Sequence, residues 1–221
     1  RRFFVLQTTN SHLFGGFFYF RKRYQMISIS KTNSKLGIIY SINLPPVVTC
    51  RADAPCVKEC YARRGNFVFR NVKQSHQNNL DEYKNNPRMY FTQVISNTFN
   101  LRFFRWHASG DIVDAPYFAG MVDVANACKD TVYLCFTKKY ELVNEYINKN
   151  GALPENLRII FSAWGDWLPD NPYNIPVAYV FDKNKDNSNI PEDAFPCGGK
   201  CYECLACWRL RNGQSVYFKK H

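Results

Sequence analysis

The chain has 221 residues, of which 46% are hydrophobic and 21% charged, with 11 Gly and 11 Pro; that is enough to bury one sizeable core and excludes a disordered polymer. The charge, 29 basic against 18 acidic side chains or +11, invites polyanionic partners, but Arg1, Arg2, Arg21, Lys22 and Arg23 precede Met26, leaving 24 against 18, or +6, for the rest. No apolar run approaches about 18 residues, since Leu13 to Phe20 stops at Arg21-Lys22-Arg23, so a membrane-spanning helix is excluded.

Residues 1–25 read as an upstream extension outside the fold, either a translated lead-in or a targeting peptide with a basic and apolar make-up. Ile27-Ser28-Ile29-Ser30 opens a strand, and Leu36 to Asn43 forms another that runs into Pro45-Pro46. A cysteine-bearing loop follows. Asn71 to Phe99 has helical character broken at Asn85-Asn86-Pro87, giving two helices. Leu101 to His107 is an aromatic-rich strand ended by Ser109-Gly110-Asp111, and a helix from Ala115 to Ala127 starts with Pro116 in its first turn, capped by Asp111 or Asp114.

The unit then recurs: strand Thr131 to Phe136, helix Lys139 to Asn148 closed by Asn150-Gly151, strand Leu157 to Phe161, and a last short strand from Pro176 to Phe181. The polar stretch Asp182 to Glu192 leads to a cysteine-rich ending. The predicted organisation is a βα core over 26–190 and a metal-binding cap over 191–221. Alternating strands and helices place the chain in the α/β class with a parallel sheet and right-handed crossovers. Its few units predict a partial (β/α) barrel or a curved open sheet, not a closed eight-stranded barrel. In either, functional groups gather at the carboxyl ends of the strands. The Cys50 to Cys60 loop, His107 to Asp111, Thr137-Lys138 and Ser162 to Asp166 are therefore expected on one rim.

Nine cysteines are present, and seven fall in two groups: Cys50, Cys56 and Cys60, then Cys197, Cys201, Cys204 and Cys207. An odd count with no secretory signal favours metal over a disulfide framework. Gaps of two residues in Cys201-x2-Cys204-x2-Cys207 let one loop wrap several corners of a 4Fe-4S cluster. Zinc is the alternative metal, usually held by paired cysteines on separate knuckles. Either the first group shares a cluster with the second, or it holds its own with one iron open to a small molecule. Cys128 and Cys135, in apolar company, are expected as core thiols.

Among the other rim residues, Gly110 would let backbone approach a ligand and Asp111 would accept from an ammonium or a hydroxyl, with Ser109 helping to orient it. His107 is either a core imidazole or a rim ligand. Arg105 and Lys138 could bind a carboxylate or phosphate, and Trp164 and Trp167 either wall a pocket or pack as a lid.

Cys56-x3-Cys60-Tyr61-Ala62, Arg105-x-His107-x-Ser109-Gly110-Asp111 and the closing Cys207-Trp208 together resemble the phage gene product 88 domain family, from about Ile27 to Trp208. The resemblance implies a phage origin and a metal, and no particular reaction. More distantly, a three-cysteine loop after the first strand and a small-residue motif after the second are similar to radical SAM enzymes. That likeness implies S-adenosylmethionine beside a 4Fe-4S cluster. The gaps here are five and three residues where that pattern has three and two, and Tyr61 follows the last cysteine instead of preceding it. The resulting expectation is an iron–sulfur protein with redox or radical chemistry, in a reducing cytoplasm because thiolate clusters need one. The rival is a non-catalytic zinc module that contacts nucleic acid through its basic surface.

Overall fold

The computed structural model describes residues 26–220, so the extension expected over 1–25 lies outside the described residues. Strands β1 (Ile29–Ser30) and β2 (Tyr40–Ile42) precede helices α1 (Arg70–Asn85) and α2 (Pro87–Thr98). Then come β3 (Phe103–Trp106), α3 (Ala115–Ala127), β4 (Val132–Thr137), α4 (Tyr140–Asn150), β5 (Leu157–Ser162) and β6 (Val177–Phe181). The chain ends with β7 (Phe195–Pro196), the short helices α5 (Cys201–Cys204) and α6 (Ala206–Arg209), and β8 (Ser215–Lys219).

The strands form one eight-stranded sheet in the order β1-β2-β3-β4-β5-β6-β8-β7. Only β1 on β2 is antiparallel; every other pair is parallel. Strands β2 to β6 are neighbours in both sequence and space, so right-handed crossovers put their helices on one face. Alternation along each strand then divides the side chains. Phe104 and Trp106 of β3, Tyr133 and Cys135 of β4, and Ile159 and Phe161 of β5 join Leu80, Tyr90, Val94, Phe118, Met121 and Val143 of the helices in the larger core. Leu134, Ile160, Ala178 and Val216 point the other way, where Trp208 and Leu210 of the cysteine-rich cap cover them.

The sheet curls without closing. Lys220, just past β8, reaches Glu59 of the cysteine loop beyond β2 at 2.9 Å and Asp182 beyond β6 at 3.0 Å. At the same gap Lys35 lies 4.7 Å from the Phe218 ring, and its carbonyl accepts from the Cys201 amide. The predicted curved α/β sheet with a C-terminal cap is what the chain adopts.

Several expectations need correction. The strand placed over Leu36 to Asn43 shrinks to β2 because Asn33 accepts from the Lys35 and Leu36 amides and ties the chain into a turn. That turn closes at Gly37, whose φ of +61° suits glycine and whose missing Cβ makes room for Tyr202. Asp114, not Asp111, caps α3, accepting from the Tyr117 amide. Pro176 to Phe181 is not the last strand, since β8 follows the cap and lies between β6 and β7. No helix among the described residues is long and apolar enough to cross a membrane.

Candidate functional site

The segments leaving the carboxyl ends of β2, β3 and β4 are bound together by buried polar side chains. Asn43, just past β2, accepts from the Ala108 and Ser109 amides at 2.8 and 3.2 Å. Ser109 donates to the Leu44 carbonyl at 3.1 Å. Thr49 accepts from the Asp111 amide at 3.0 Å and donates to the Pro45 carbonyl at 3.0 Å. Gly110 lies between these bonds at φ +83°, and a methyl group there would meet Thr49 Oγ1 at 2.7 Å and the Leu44 carbonyl at 2.8 Å. The cysteine loop thus rests directly on the β3 terminus.

Asp111 then spans to β4. Its Oδ1 accepts from Thr137 Oγ1 at 2.7 Å and from the Ile112 amide, while Oδ2 accepts from the Lys138 amide at 3.0 Å. Burial raises its carboxyl above the usual carboxylate range, an effect those donors oppose. The Lys138 ammonium donates to Ser162 Oγ at 2.6 Å, at the end of β5, and lies 5.9 Å from the Trp164 ring.

Around this floor lie the first three cysteines, on a loop of short 3-10 turns over 55–59 and 61–63. Cys50 is within electrostatic reach of Asp111, Cys60 and Cys56, and Lys138 of all three thiols. Burial is the main cause that lifts Cys50 to about 11 and raises Cys56, the latter opposed by Lys138. The same burial lowers the Lys138 ammonium, which the surrounding sulfurs and Asp111 oppose. Tyr61, next to Cys60, donates its hydroxyl to the Ala108 carbonyl at 2.5 Å and fastens the loop to β3.

The second group lies under the cap, where Cys197, Cys201 and Cys207 pack on the face of the sheet away from the larger core. Cys197, Gly198, Gly199, Cys201, Cys204 and Cys207 surround one hollow of about 20 Å³. Beyond each of Gly198 and Gly199 there is open space where a Cβ would stand. Cys207 is pushed up to about 12 by burial, with Arg105 opposing and the other three thiols reinforcing. Cys201 is raised the same way, with Arg105 and Lys35 opposing. The cap is anchored by Trp208, 2% exposed, whose ring meets Phe103 edge-on and whose Nε1 donates to the Phe104 carbonyl at 3.3 Å.

The topology therefore gathers the seven spaced cysteines into two groups, one at the strand-end rim and one under the cap. Among the described residues, no three His, Cys, Asp or Glu side chains close tightly enough to hold a single metal ion. Cys128 and Cys135, expected in the core, are buried there. Of the non-cysteine rim candidates, Lys138 lies within electrostatic reach of the first three thiols and Asp111 within reach of Cys50 and Cys56. His107 turns to helix α3, where Nε2 meets the Tyr117 hydroxyl at 3.0 Å, and burial lowers it to about 3. Ser109 and Gly110 hold the loop to the strand ends. Thr137 and Ser162, expected on the rim, are there; Asn43 and Thr49 were not picked out from the sequence, where the polar Asn43 ending an apolar strand and Thr49 beside Cys50 are the local signals of that floor.

Arg105, weighed above as an anion-binding rim residue, has a place between the groups. Its guanidinium lies 4.5 Å from the Phe136 ring, its Nε is buried without a hydrogen-bond partner, and it acts electrostatically on Tyr61, Cys201 and Cys207.

A family model described as gene product 88 matches residues 20–211. No curated protein and no solved structure matches the chain.

Proposed function

The chain belongs to the gene product 88 family, and from the disposition of its cysteines we propose that it is an iron–sulfur protein with two 4Fe-4S sites. Cys50, Cys56 and Cys60 hold one, and Cys197, Cys201, Cys204 and Cys207 the other. The observation that carries this reading is the sorting of the cysteines. Those with ligand spacing are half-buried in two groups, each beside a cation, Lys138 or Arg105, while the two without it are sealed in the core.

Raised thiols crowded beside one another are unfavourable as free thiolates, and a bound cationic centre relieves that repulsion while displacing their protons. A cube takes each thiolate at a separate corner and so tolerates wider spacing than one tetrahedral zinc, whose four sulfurs must each come within about 2.3 Å of the ion. A bound cluster would supply one-electron transfer and, at the three-cysteine site, an iron open to an outside ligand. S-adenosylmethionine is one candidate ligand. Ser109, Gly110 and Asp111 are committed to internal bonds, so Lys138 is the residue available for a ligand carboxylate.

The test is purification without oxygen, followed by iron, sulfide and zinc analysis and a visible spectrum. Two clusters predict about eight irons and eight sulfides per chain, with Cys50→Ser and Cys204→Ser each removing about half. A colourless protein with stoichiometric zinc overturns the reading in favour of a zinc module. Equilibrium dialysis with S-adenosylmethionine tests the open site, and Lys138→Met is expected to weaken its binding.

A further inference from the structure

We propose that the exposed segment from Lys58 to Lys73, beside the first cysteine group, is a docking surface for single-stranded nucleic acid. Within these residues Lys58, Arg63, Arg64, Arg70 and Lys73 face one carboxylate, Glu59. The resulting net charge is +4 over 16 residues. All five cations are exposed, and among the described residues none is ion-paired, whereas Glu59 is taken by Lys220 at 2.9 Å. Helix α1 adds no acidic side chain in its first turn.

Aromatic rings stand among these charges. Tyr61 is 53% exposed and Phe69 57%. Tyr61 is held by its hydroxyl bond to Ala108 and by an edge-on contact with Phe67, and Phe67 in turn packs against His76 of α1. A ring fixed at its edge and open to solvent gives a base a stacking surface at little cost in side-chain entropy. Paired bases keep their faces stacked inside the duplex, so such rings favour unpaired strands. Anionic membranes would also attract the cations, but interfacial binding needs a continuous apolar helix face. Here the exposed side of α1 carries Asn71 and Gln74 and the neighbouring turns are short.

The experiment follows fluorescence anisotropy of labelled oligothymidine with the full chain, beside a labelled duplex and phosphatidylglycerol vesicles. Oligothymidine should bind best, with affinity falling steeply as salt rises. Arg63→Gln with Arg64→Gln should weaken it about tenfold and make the log–log salt slope shallower by about 1.4. Phe69→Ala should weaken it about tenfold at unchanged slope. Lys149→Gln, an exposed cation on α4, should leave both unaltered. The proposal fails if oligothymidine does not bind at low salt, if the variants bind as wild type does, or if duplex or vesicles are preferred. Iron counted in the same samples separates this outcome from that of the cluster reading, on which the surface does not depend.

Discussion

Cys50, Cys56 and Cys60 stand over a floor of buried polar groups, Asn43, Thr49, Ser109, Asp111 and Thr137, whereas Cys197, Cys201 and Cys207 pack on an apolar one made of Leu134, Ile160, Trp208 and Val216. The two floors hold their loops by different physics. Hydrogen bonds fix direction and fail one at a time, each loss leaving a buried donor or acceptor unmet. Apolar packing fixes position by volume and fails by leaving a cavity. The polar floor sets a lysine within reach of three thiols, and the apolar floor gathers four thiols around one small hollow, with Arg105 within reach of two of them. On the proposed reading the first group is the one arranged to admit a ligand and the second the one that fastens the tail to the sheet.

The comparison breaks most visibly at Trp208. Trp208→Ala removes the side chain that seals the cap and should cost about 3–5 kcal/mol in denaturant unfolding. Iron is expected to be lost from the second group and kept in the first; equal loss from both would mean that the floors are not independent. The matching test of the polar floor is Gly110→Ala. The new methyl meets Thr49 and Leu44 inside 3 Å at a positive φ, so roughly 2–3 kcal/mol should be lost. Here it is the first group's iron that should fall.

How much of this was legible in the sequence follows from the range over which each feature is determined. The βα rhythm was readable because each strand and helix carries its own periodicity, and the break before Pro87 was readable because proline acts locally. Asp111 was ambiguous for the opposite reason. Its partners Thr137 and Lys138 lie 26 and 27 residues away and meet it only once β3 and β4 pair. The strand β8 escaped notice because its pairing with β6 spans the whole cap. The cysteine spacing announced two groups, but not that the second would pack on one face of the sheet, which depends on how the cap folds back over it.

A pH titration sharpens the contrast next. His107 follows β3 with φ +56° and is 3% exposed. Burial, helped by the charges of Arg105 and Lys139, lowers it to about 3. The unfolded chain takes up this proton below about pH 6.5 and the folded chain does not until about 3, so stability is lost as pH falls through that window. Between pH 7 and 5 this residue alone should account for about 2 kcal/mol. His107→Asn, which keeps a residue tolerant of positive φ, should flatten that part of the profile. An unchanged pH dependence would mean that His107 is not held neutral.

Arg105 gives the smallest expected effect and the most discriminating one, because it touches both sides of the comparison. Its charge favours the thiolate forms of Cys201 and Cys207 and reaches Tyr61, which ties down the first loop. Arg105→Gln keeps much of the contact with Phe136 and removes the charge. If the guanidinium offsets the anionic character of a cluster in the cap, metal should leave the second group for a chelator faster by roughly fivefold, the equivalent of about 1 kcal/mol for a partly screened charge. The first group, with Lys138 as its own cation, should release metal at the wild-type rate. Parallel acceleration at both groups would instead make Arg105 a shared counter-charge that couples the two sites electrostatically.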